Sequence, residues 1–250
     1  MMKKIVALLL SLVLLASLAG CNRPDAVLDE IKSFEVTSEI RSLHIRINAA
    51  DFVIREADAF AVESNLKYLT VSERNGVLMI VENVKNGVYD SPVLTLYVPA
   101  GTAFDHVDMQ IGAAKMTVDT LAAKTLALQI GAGAARFDNL EVSSCADIEG
   151  GAGELTIFGG TLNDLDLEMG MGELNLTAAL LGRSDLELGV GRANLTLVGG
   201  KEAYALDITK GLGSITVDGQ VVSDFGSSGN GQNRVEIDGG VGAINISFKQ

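Results

Sequence analysis

The chain of 250 residues has no tryptophan, three prolines, two cysteines and two histidines, and aromatic residues make up only 5% of it. The two cysteines and two histidines do not have the spacing of a Cys/His zinc site, so we expect none. Lysine and arginine are also scarce, with 19 against 32 aspartates and glutamates, which gives a formal net charge of −13. Because binding to nucleic acid requires basic contacts to phosphate, we expect no nucleic-acid partner.

Glycine and aliphatic residues, by contrast, are abundant: the chain has 28 glycines, and 48% of its residues are hydrophobic. Together with the shortage of proline and aromatic residues, this composition favours many short strands joined by tight corners over a helical fold. A chain of this length can form one large domain or two small ones.

The N-terminus is typical of a secretory signal. Residues 1–20 contain two lysines followed by an apolar run at 5–18, which is shorter than the roughly 20 residues of a membrane-spanning helix. Residues 18–21, Leu-Ala-Gly-Cys, resemble the lipobox of bacterial lipoproteins, whose signal is cut before the cysteine. The resemblance implies that Cys21 carries a diacylglyceryl group. It also implies that the protein is anchored by lipid to the cell membrane, on its extracytoplasmic face.

The remaining residues divide into two parts. We expect residues 21–34 to form a short tether and residues 35–250 to form a single β domain, because no linker interrupts the latter. Cys145 lies in a strand-like stretch and has no partner once Cys21 is acylated, so we expect it to be a buried free thiol.

Glycine pairs recur through the second half of the chain. The first glycines of the earlier copies are 19 or 20 residues apart, and a fixed period of this length indicates a repeat architecture. The copies are Gly131-Ala132-Gly133, Gly151-Ala152-Gly153, Gly170-Met171-Gly172, Gly189-Val190-Gly191, Gly211-Leu212-Gly213 and Gly240-Val241-Gly242, with a degenerate first copy at Gly112-Ala113-Ala114.

The hydrophobic pattern changes phase at each pair. Leu165 and Leu167 precede one pair, Met171 lies within it, and the three share one strand face, whereas Leu174 and Leu176 follow with the opposite parity. A phase slip of this kind indicates a strand that turns a corner while facing the same core, and we expect the residue between the glycines to point inward. The sequence therefore predicts an all-β fold, a single-stranded β-solenoid similar to a parallel β-helix, with repeats of about 20 residues.

Polar residues at one outward position also recur in register. Five residues after each first glycine we expect a column whose asparagines and threonines hydrogen-bond from rung to rung. Its members are Thr117, Arg136, Thr156, Asn175, Asn194, Thr216 and Asn245. Residues 35–110 alternate apolar and polar side chains less regularly, which predicts earlier coils of the same solenoid. The C-terminal residues 241–250 are expected to cap the stack, after a flexible loop at 226–233.

Carboxylates recur at two further outward positions, four and two residues before the first glycine. Stacking would align them in an acidic ladder made of Asp147, Asp166, Asp185, Asp207, Glu149, Glu168 and Glu187. Neighbouring carboxylates in such a ladder repel by about 1–3 kcal/mol per pair, less with salt. The ladder is either a solvated face that keeps the solenoid soluble or a docking strip for weakly bound divalent cations or a polycationic partner.

Catalytic and cofactor motifs are not supported. The Gly-x-Gly pairs lack the third glycine of a dinucleotide site and occur six times, which favours a structural role. Residues 150–157 resemble the start of a calcium-binding β-roll repeat, but Leu155 replaces its aspartate and the period is wrong. His44 and His106 are isolated in the sequence, so we predict no catalytic residues, no cofactor and no enzyme activity.

These features together resemble one bacterial family. A lipobox, an irregular N-terminal third, Gly-x-Gly coils and a late Gly/Ser loop are similar to the β-strand-repeat proteins called "putative adhesins", which are related to the head-GIN and toast-rack domains. The resemblance covers about residues 35–250 and implies a β-solenoid at a cell surface, acting in binding, adhesion or envelope scaffolding. The alternatives are a regulatory protein that senses envelope stress by docking on a membrane partner and, third, an enzyme acting on polysaccharides. The sequence gives no oligomeric state.

Overall fold

The computed structural model describes residues 28–84, 90–222 and 226–250, and almost all of them lie in one sheet. The signal sequence and Cys21 lie outside these residues. The strands are β1 (Leu28–Glu35), β2 (Ser42–Ala57), β3 (Ala61–Leu66), β4 (Leu69–Arg74), β5 (Val77–Glu82), β6 (Val93–Pro99), β7 (Ala103–Ile157), β8 (Gly160–Asn163), β9 (Leu165–Leu181), β10 (Arg183–Val198), β11 (Tyr204–Val217), β12 (Gln220–Val222), β13 (Ser227–Ser228) and β14 (Asn233–Lys249). Within the described ranges, no helix is long and apolar enough to cross a membrane.

The glycine repeats form parallel rungs that stack in register. Gly153 of β7 pairs with Gly172 of β9, and Gly172 pairs in turn with Gly191 of β10. The strand β7 is long because the chain bends at each corner without interrupting its ladder, so that successive coils of the solenoid belong to one strand. This arrangement confirms the predicted β-solenoid.

Buried residues fall into short runs with a period of two. In the coil that follows Gly112 the runs are Met116 with Val118, Leu121 with Ala123, and Leu126 with Leu128 and Ile130. An odd step separates each run from the next, so this coil turns the chain more often than the two strands per repeat predicted from the sequence. The apolar runs of all coils form one continuous core along the axis.

The middle residue of each glycine pair points outward, so its predicted inward position was wrong. Met171 is 59% exposed and Leu212 is 75% exposed. The reason is the corner itself: the second glycine has a positive φ, +136° at Gly172, and the chain turns there with its convex side toward solvent. The hydrophobic pattern therefore changes phase across the residues of each Gly-x-Gly corner, which lie outside the core.

The order of the last coils differs from their order in the sequence. The C-terminal strand β14 lies between β10 and β11, with Gly242 paired to Gly191 on one side and to Gly213 on the other. The residues predicted to cap the stack therefore form an internal rung. The end is instead formed by β11, whose outer edge carries the short antiparallel strands β12 and β13.

The N-terminal third contains both rungs and antiparallel strands. Parallel pairing joins β2 to β5, β6 and β7, so the predicted earlier coils are present. Strands β1, β3 and β4 pair antiparallel beyond them, and the chain enters the sheet at Leu28, before residue 35 where we placed the start of the domain. Asn75 and Gly76, with φ of 53° and 77°, form the tight turn between β4 and β5.

The predicted polar column is confirmed as a chain of hydrogen bonds from Thr156 to Thr216, whereas Arg136 pairs instead with Asp138 at 2.7 Å. Asn175 Nδ2 donates to Thr156 Oγ1 at 3.4 Å, and Asn194 Nδ2 donates to Asn175 Oδ1 at 2.7 Å. Asn245 continues the chain by donating to Asn194 Oδ1 at 2.8 Å, and the hydroxyl of Thr216 donates to Asn245 Oδ1 at 2.8 Å. The spatial order follows the rungs, because β14 lies between β10 and β11.

The corner glycines allow the rungs to approach closely. A Cβ atom on Gly170 would lie 2.6 Å from the carbonyl oxygen of Gly151, and one on Gly172 would lie 1.8 Å from that of Gly153. The obstacle in both cases is backbone, which cannot move aside without breaking the ladder. Glycine at these positions is therefore required by the contact between rungs as well as by φ.

We predict that Gly172→Ala lowers the free energy of unfolding by more than about 2 kcal/mol, because it combines a strained φ with a backbone clash. The matched control is Gly226→Ala, where a Cβ meets nothing within 4 Å and φ lies outside the left-handed region. Urea denaturation followed by circular dichroism measures both. Equal midpoints for the two variants would contradict the close approach of the rungs.

Candidate functional site

The acidic side chains predicted from the repeat lie in two columns on one outer face. In the first column Asp147 pairs in register with Asp166, and Asp166 pairs with Asp185. In the second column Glu149 is followed by Glu168 and Glu187 at the same register positions. The alignment of these carboxylates follows from the parallel stacking, which places identical repeat positions above one another.

Two residues that the sequence analysis omitted complete the columns. Glu236 of β14 lies between Asp185 and Asp207, and Asp238 of the same strand follows Glu187. Like the predicted acids, they lie four and two residues before the first glycine of a pair, here Gly240. The same repeat pattern could therefore have predicted them. The two columns together hold nine carboxylates, and we call them the acidic columns.

Crowding and burial act on these carboxyl groups in the same direction. Repulsion by Glu187 is the main cause that raises the pKa of Glu168, with burial and the other acids adding to it. Burial raises the pKa of Asp147, and Glu149 and Asp166 raise it further. The acidic columns are thus a region in which ionised carboxylates repel one another.

Arginines neutralise only one end of the columns. Arg183 approaches Glu236 to 2.6 Å, and Arg234 lies 3.2 Å from Glu236 and 3.5 Å from Asp207. Among the ion pairs of the described part of the chain, none involves Asp147, Asp166 or Glu168. The β7 and β9 end of the columns therefore carries the greater excess of negative charge.

The acidic columns do not form a built cation site. In the ranges 28–84, 90–222 and 226–250, no group of three or more His, Cys, Asp or Glu side chains is arranged to hold a metal ion. The columns present their carboxylates one per rung to solvent. The divalent cations considered in the sequence analysis would thus meet a linear array of charges.

A row of exposed apolar side chains runs along the corner beside the acidic columns. Its members stand between the paired glycines and follow the rung order Ala152, Met171, Val190, Val241, Leu212. Met171, Val190 and Val241 are 59%, 51% and 49% exposed. We call this row the apolar ridge, and sequence reasoning missed it by assigning these residues to the core.

A groove runs along the nearer acidic column, over the first glycine of successive pairs. It has a volume of about 500 Å³. The carboxylate-bearing residues Glu168, Glu187 and Asp238 line it, together with Gly170 and Gly189. Because these glycines have no side chains, the backbone is accessible beside the carboxylates. Gly170 and Gly189 directly precede Met171 and Val190, so the groove is adjacent to the apolar ridge.

The histidines singled out from the sequence do not line this groove. His44 is not isolated, since its Nδ1 lies 3.2 Å from Oδ2 of Asp108, and Arg46 donates to the same oxygen at 2.5 Å. The hydrogen bond from Arg46 is the main cause that lowers the pKa of Asp108. His106 is exposed and contacts Thr125 Oγ1 at 2.6 Å.

Cys145 is exposed, so its predicted burial was wrong. It follows Ser143 and Ser144, which are also exposed, and Ala146 after it is buried. The chain turns a second kind of corner here, and the strand-like composition of the segment concealed it.

Comparison with known proteins identifies the family. The profile of the Toastrack DUF4097 family matches residues 63–247, and the chain belongs to this family. The comparison with curated proteins gives no match.

Among solved structures, the matches include proteins from several bacteria. A "putative cell adhesion protein" from Clostridium sporogenes shares 16% identity, with 88% of this chain and 99% of that chain covered and a TM-score of 0.35. A "putative adhesin" from Bacteroides fragilis shares 11% identity, with 86% and 95% covered and a TM-score of 0.43. A "putative lipid binding protein" from Parabacteroides distasonis shares 15% identity, with 86% and 96% covered and a TM-score of 0.42.

We predict that Asp166→Asn combined with Asp185→Asn raises the melting temperature at neutral pH and low salt, because it removes repulsion within one acidic column. Burial raises the pKa of Asp185, and Glu236 and Asp166 raise it further. A carboxyl whose pKa is higher in the folded state destabilises that state above both pKa values, and this effect vanishes as the pH falls below the ordinary value of 3.8.

The gain in melting temperature should therefore shrink on acidification and in high salt. The control pair is Glu56→Gln with Asp58→Asn, two exposed acids outside the acidic columns. Scanning calorimetry measures both variants. A gain of the same size in the control, or a gain that salt does not reduce, would speak against stacked carboxylates.

Proposed function

We propose that this protein is a lipid-anchored, extracytoplasmic binding module that acts in adhesion or envelope scaffolding, without enzyme activity. The observation that carries the proposal is the combination of the acidic columns and the apolar ridge on one continuous outer face. Contiguous exposed apolar surface rimmed by polar groups marks interaction sites on soluble domains. Membership of the Toastrack family is consistent with a cell-surface repeat protein.

The architecture supports a binding role in a second way. Each rung repeats the same outward side chains at a spacing of about 4.8 Å, so the face offers several equivalent contacts to an elongated partner. Weak contacts of this kind add up when one partner engages many of them at once. The core holds the repeated positions in register, so the surface can distinguish partners by their length as well as by their chemistry.

A regulatory role is the second candidate. A lipid anchor at Cys21 would hold the solenoid close to the membrane, where the acidic columns could dock on the extracytoplasmic part of a membrane protein that senses envelope stress. The charge of the face favours this candidate where the partner is basic. The two candidates differ in the kind of neighbour that the protein contacts on the cell.

We predict that Cys21→Ala, expressed behind a secretory signal that is cleaved without lipidation, releases the protein from the membrane fraction, because one diacylglyceryl group supplies the two acyl chains that stable anchoring requires. The measurement is fractionation of cells followed by immunoblotting, together with metabolic labelling by a fatty acid. Cys145→Ala is the matched control and should leave both the fractionation and the labelling unchanged. Unchanged membrane association of Cys21→Ala would contradict the lipid anchor.

We predict that a short amine-reactive crosslinker on intact cells joins the protein to a defined surface neighbour. Lys67, Lys115 and Lys124 are exposed and provide attachment points outside the acidic columns. An envelope or foreign-cell component supports adhesion or scaffolding, and a membrane sensor protein supports the regulatory candidate. A set of neighbours identical to that of an unrelated lipoprotein of equal abundance would refute both.

A further inference from the structure

We propose that the groove along the acidic columns, beside the apolar ridge, binds a cationic amphipathic α-helix of a partner protein, lying parallel to the solenoid axis. The inference rests on the proposed binding function and specifies the chemistry of its partner. The exposed apolar ridge is the observation on which it rests, and the negative charge of the acidic columns beside the ridge favours a cationic partner.

The ridge provides the apolar half of the contact. Met171, Val190, Val241 and Leu212 stand on successive rungs, and each is about half exposed or more. Rungs repeat every 4.8 Å or so and turns of an α-helix every 5.4 Å or so, which is a close match over three or four turns. A helix with one apolar residue per turn can therefore place a side chain against each member of the ridge.

The acidic columns provide the polar half. Glu168, Glu187 and Asp238 line the groove beside the ridge, so a helix seated there has carboxylates along one flank. Lysine or arginine one turn apart on that flank would face one carboxylate per rung. The five rungs from Ala152 to Leu212 span about 19 Å, the length of roughly 13 helical residues.

The same charges disfavour the other occupants of an exposed apolar surface. A second copy of this chain that packed ridge against ridge would bring two sets of acidic columns together, and the nearby arginines Arg183, Arg192 and Arg234 are outnumbered by the nine carboxylates. A membrane rich in anionic lipid would be repelled by the columns. A cationic amphipathic helix, by contrast, can place its apolar side chains against the apolar ridge and its basic side chains against the acidic columns.

The test uses the purified full chain carrying Cys21→Ala and a fluorescent synthetic peptide of about 14 residues, long enough for the five rungs. Its leucines follow one face of a helix and its lysines follow the adjacent face. A peptide of the same composition in permuted order has no apolar face, and a third peptide replaces lysine by glutamate. We expect the first peptide to bind at least about tenfold more tightly than the other two, as measured by fluorescence anisotropy.

Paired variants locate the contact. Met171→Ser with Val190→Ser, and separately Glu168→Gln with Glu187→Gln, should each weaken binding of the first peptide by at least about tenfold. Val221→Ser is the apolar control, since Val221 is 76% exposed and lies off the ridge. The acidic control is Glu56→Gln with Asp58→Asn. Both controls should leave the affinity unchanged, and cooperative urea unfolding of each variant establishes that it is folded.

Should the paired ridge variant fail to fold, Leu212→Ser tests the same surface, because Leu212 is 75% exposed. Equal binding of the permuted peptide, or equal weakening by Val221→Ser, would overturn the proposal in favour of general charge attraction. A dimer in sedimentation that the ridge variant dissociates would assign the ridge to a second copy instead. Binding to phosphatidylglycerol vesicles that depends on the ridge would assign it to the membrane.

The experiment separates this inference from the function on which it rests. Crosslinking on cells that captures the same specific neighbour from wild type and from the ridge variant would leave the binding function standing while the helix site fails. If neither a specific neighbour nor the first peptide is bound, both proposals fail.

Discussion

The close approach of each pair of corner glycines to the carbonyl oxygens of the rung below is the contact on which the solenoid depends. A Cβ on Gly172 would lie 1.8 Å from Gly153 O, and one on Gly191 would lie 1.8 Å from Gly172 O. Because this contact repeats from rung to rung, it fixes the register of the strands on both sides of the corner. Every other column in the structure follows from that register.

Strict register has opposite effects on different columns. It joins Asn175, Asn194 and Asn245 into a chain of hydrogen bonds, in which each amide can donate to one rung and accept from the other. It also stacks Asp166 on Asp185, which repel. A fold that stacks identical repeat positions thus obtains stabilising amide contacts and destabilising carboxylate contacts from the same geometry. The acidic columns are tolerated because the core and the amide chain hold the rungs together.

The sequence predicted the repeat, the parallel stacking, the polar column and most of the acidic columns, because each depends only on the period of the chain. It did not predict which way Met171 points. The same spacing fits a Met171 side chain that continues the buried alternation and one that lies outward at a corner, and only the φ of Gly172 distinguishes the two. The turns at Asn75-Gly76 and Asp218-Gly219 were not predicted either, although Asn-Gly and Asp-Gly are typical hairpin signals and both pairs have positive φ at both residues. The place of β14 could not be predicted, because nothing local distinguishes an inserted rung from a terminal one.

That insertion connects the folding of the chain to its outer face. With β14 between β10 and β11, Glu236 and Asp238 bridge the acids of β10 to those of β11, and Val241 joins Val190 to Leu212 on the ridge. The face is therefore continuous only after the C-terminal strand has entered between two earlier rungs. Because pairing at a larger sequence separation is slower than the stacking of consecutive coils, we expect this outer face to be completed among the last steps of folding.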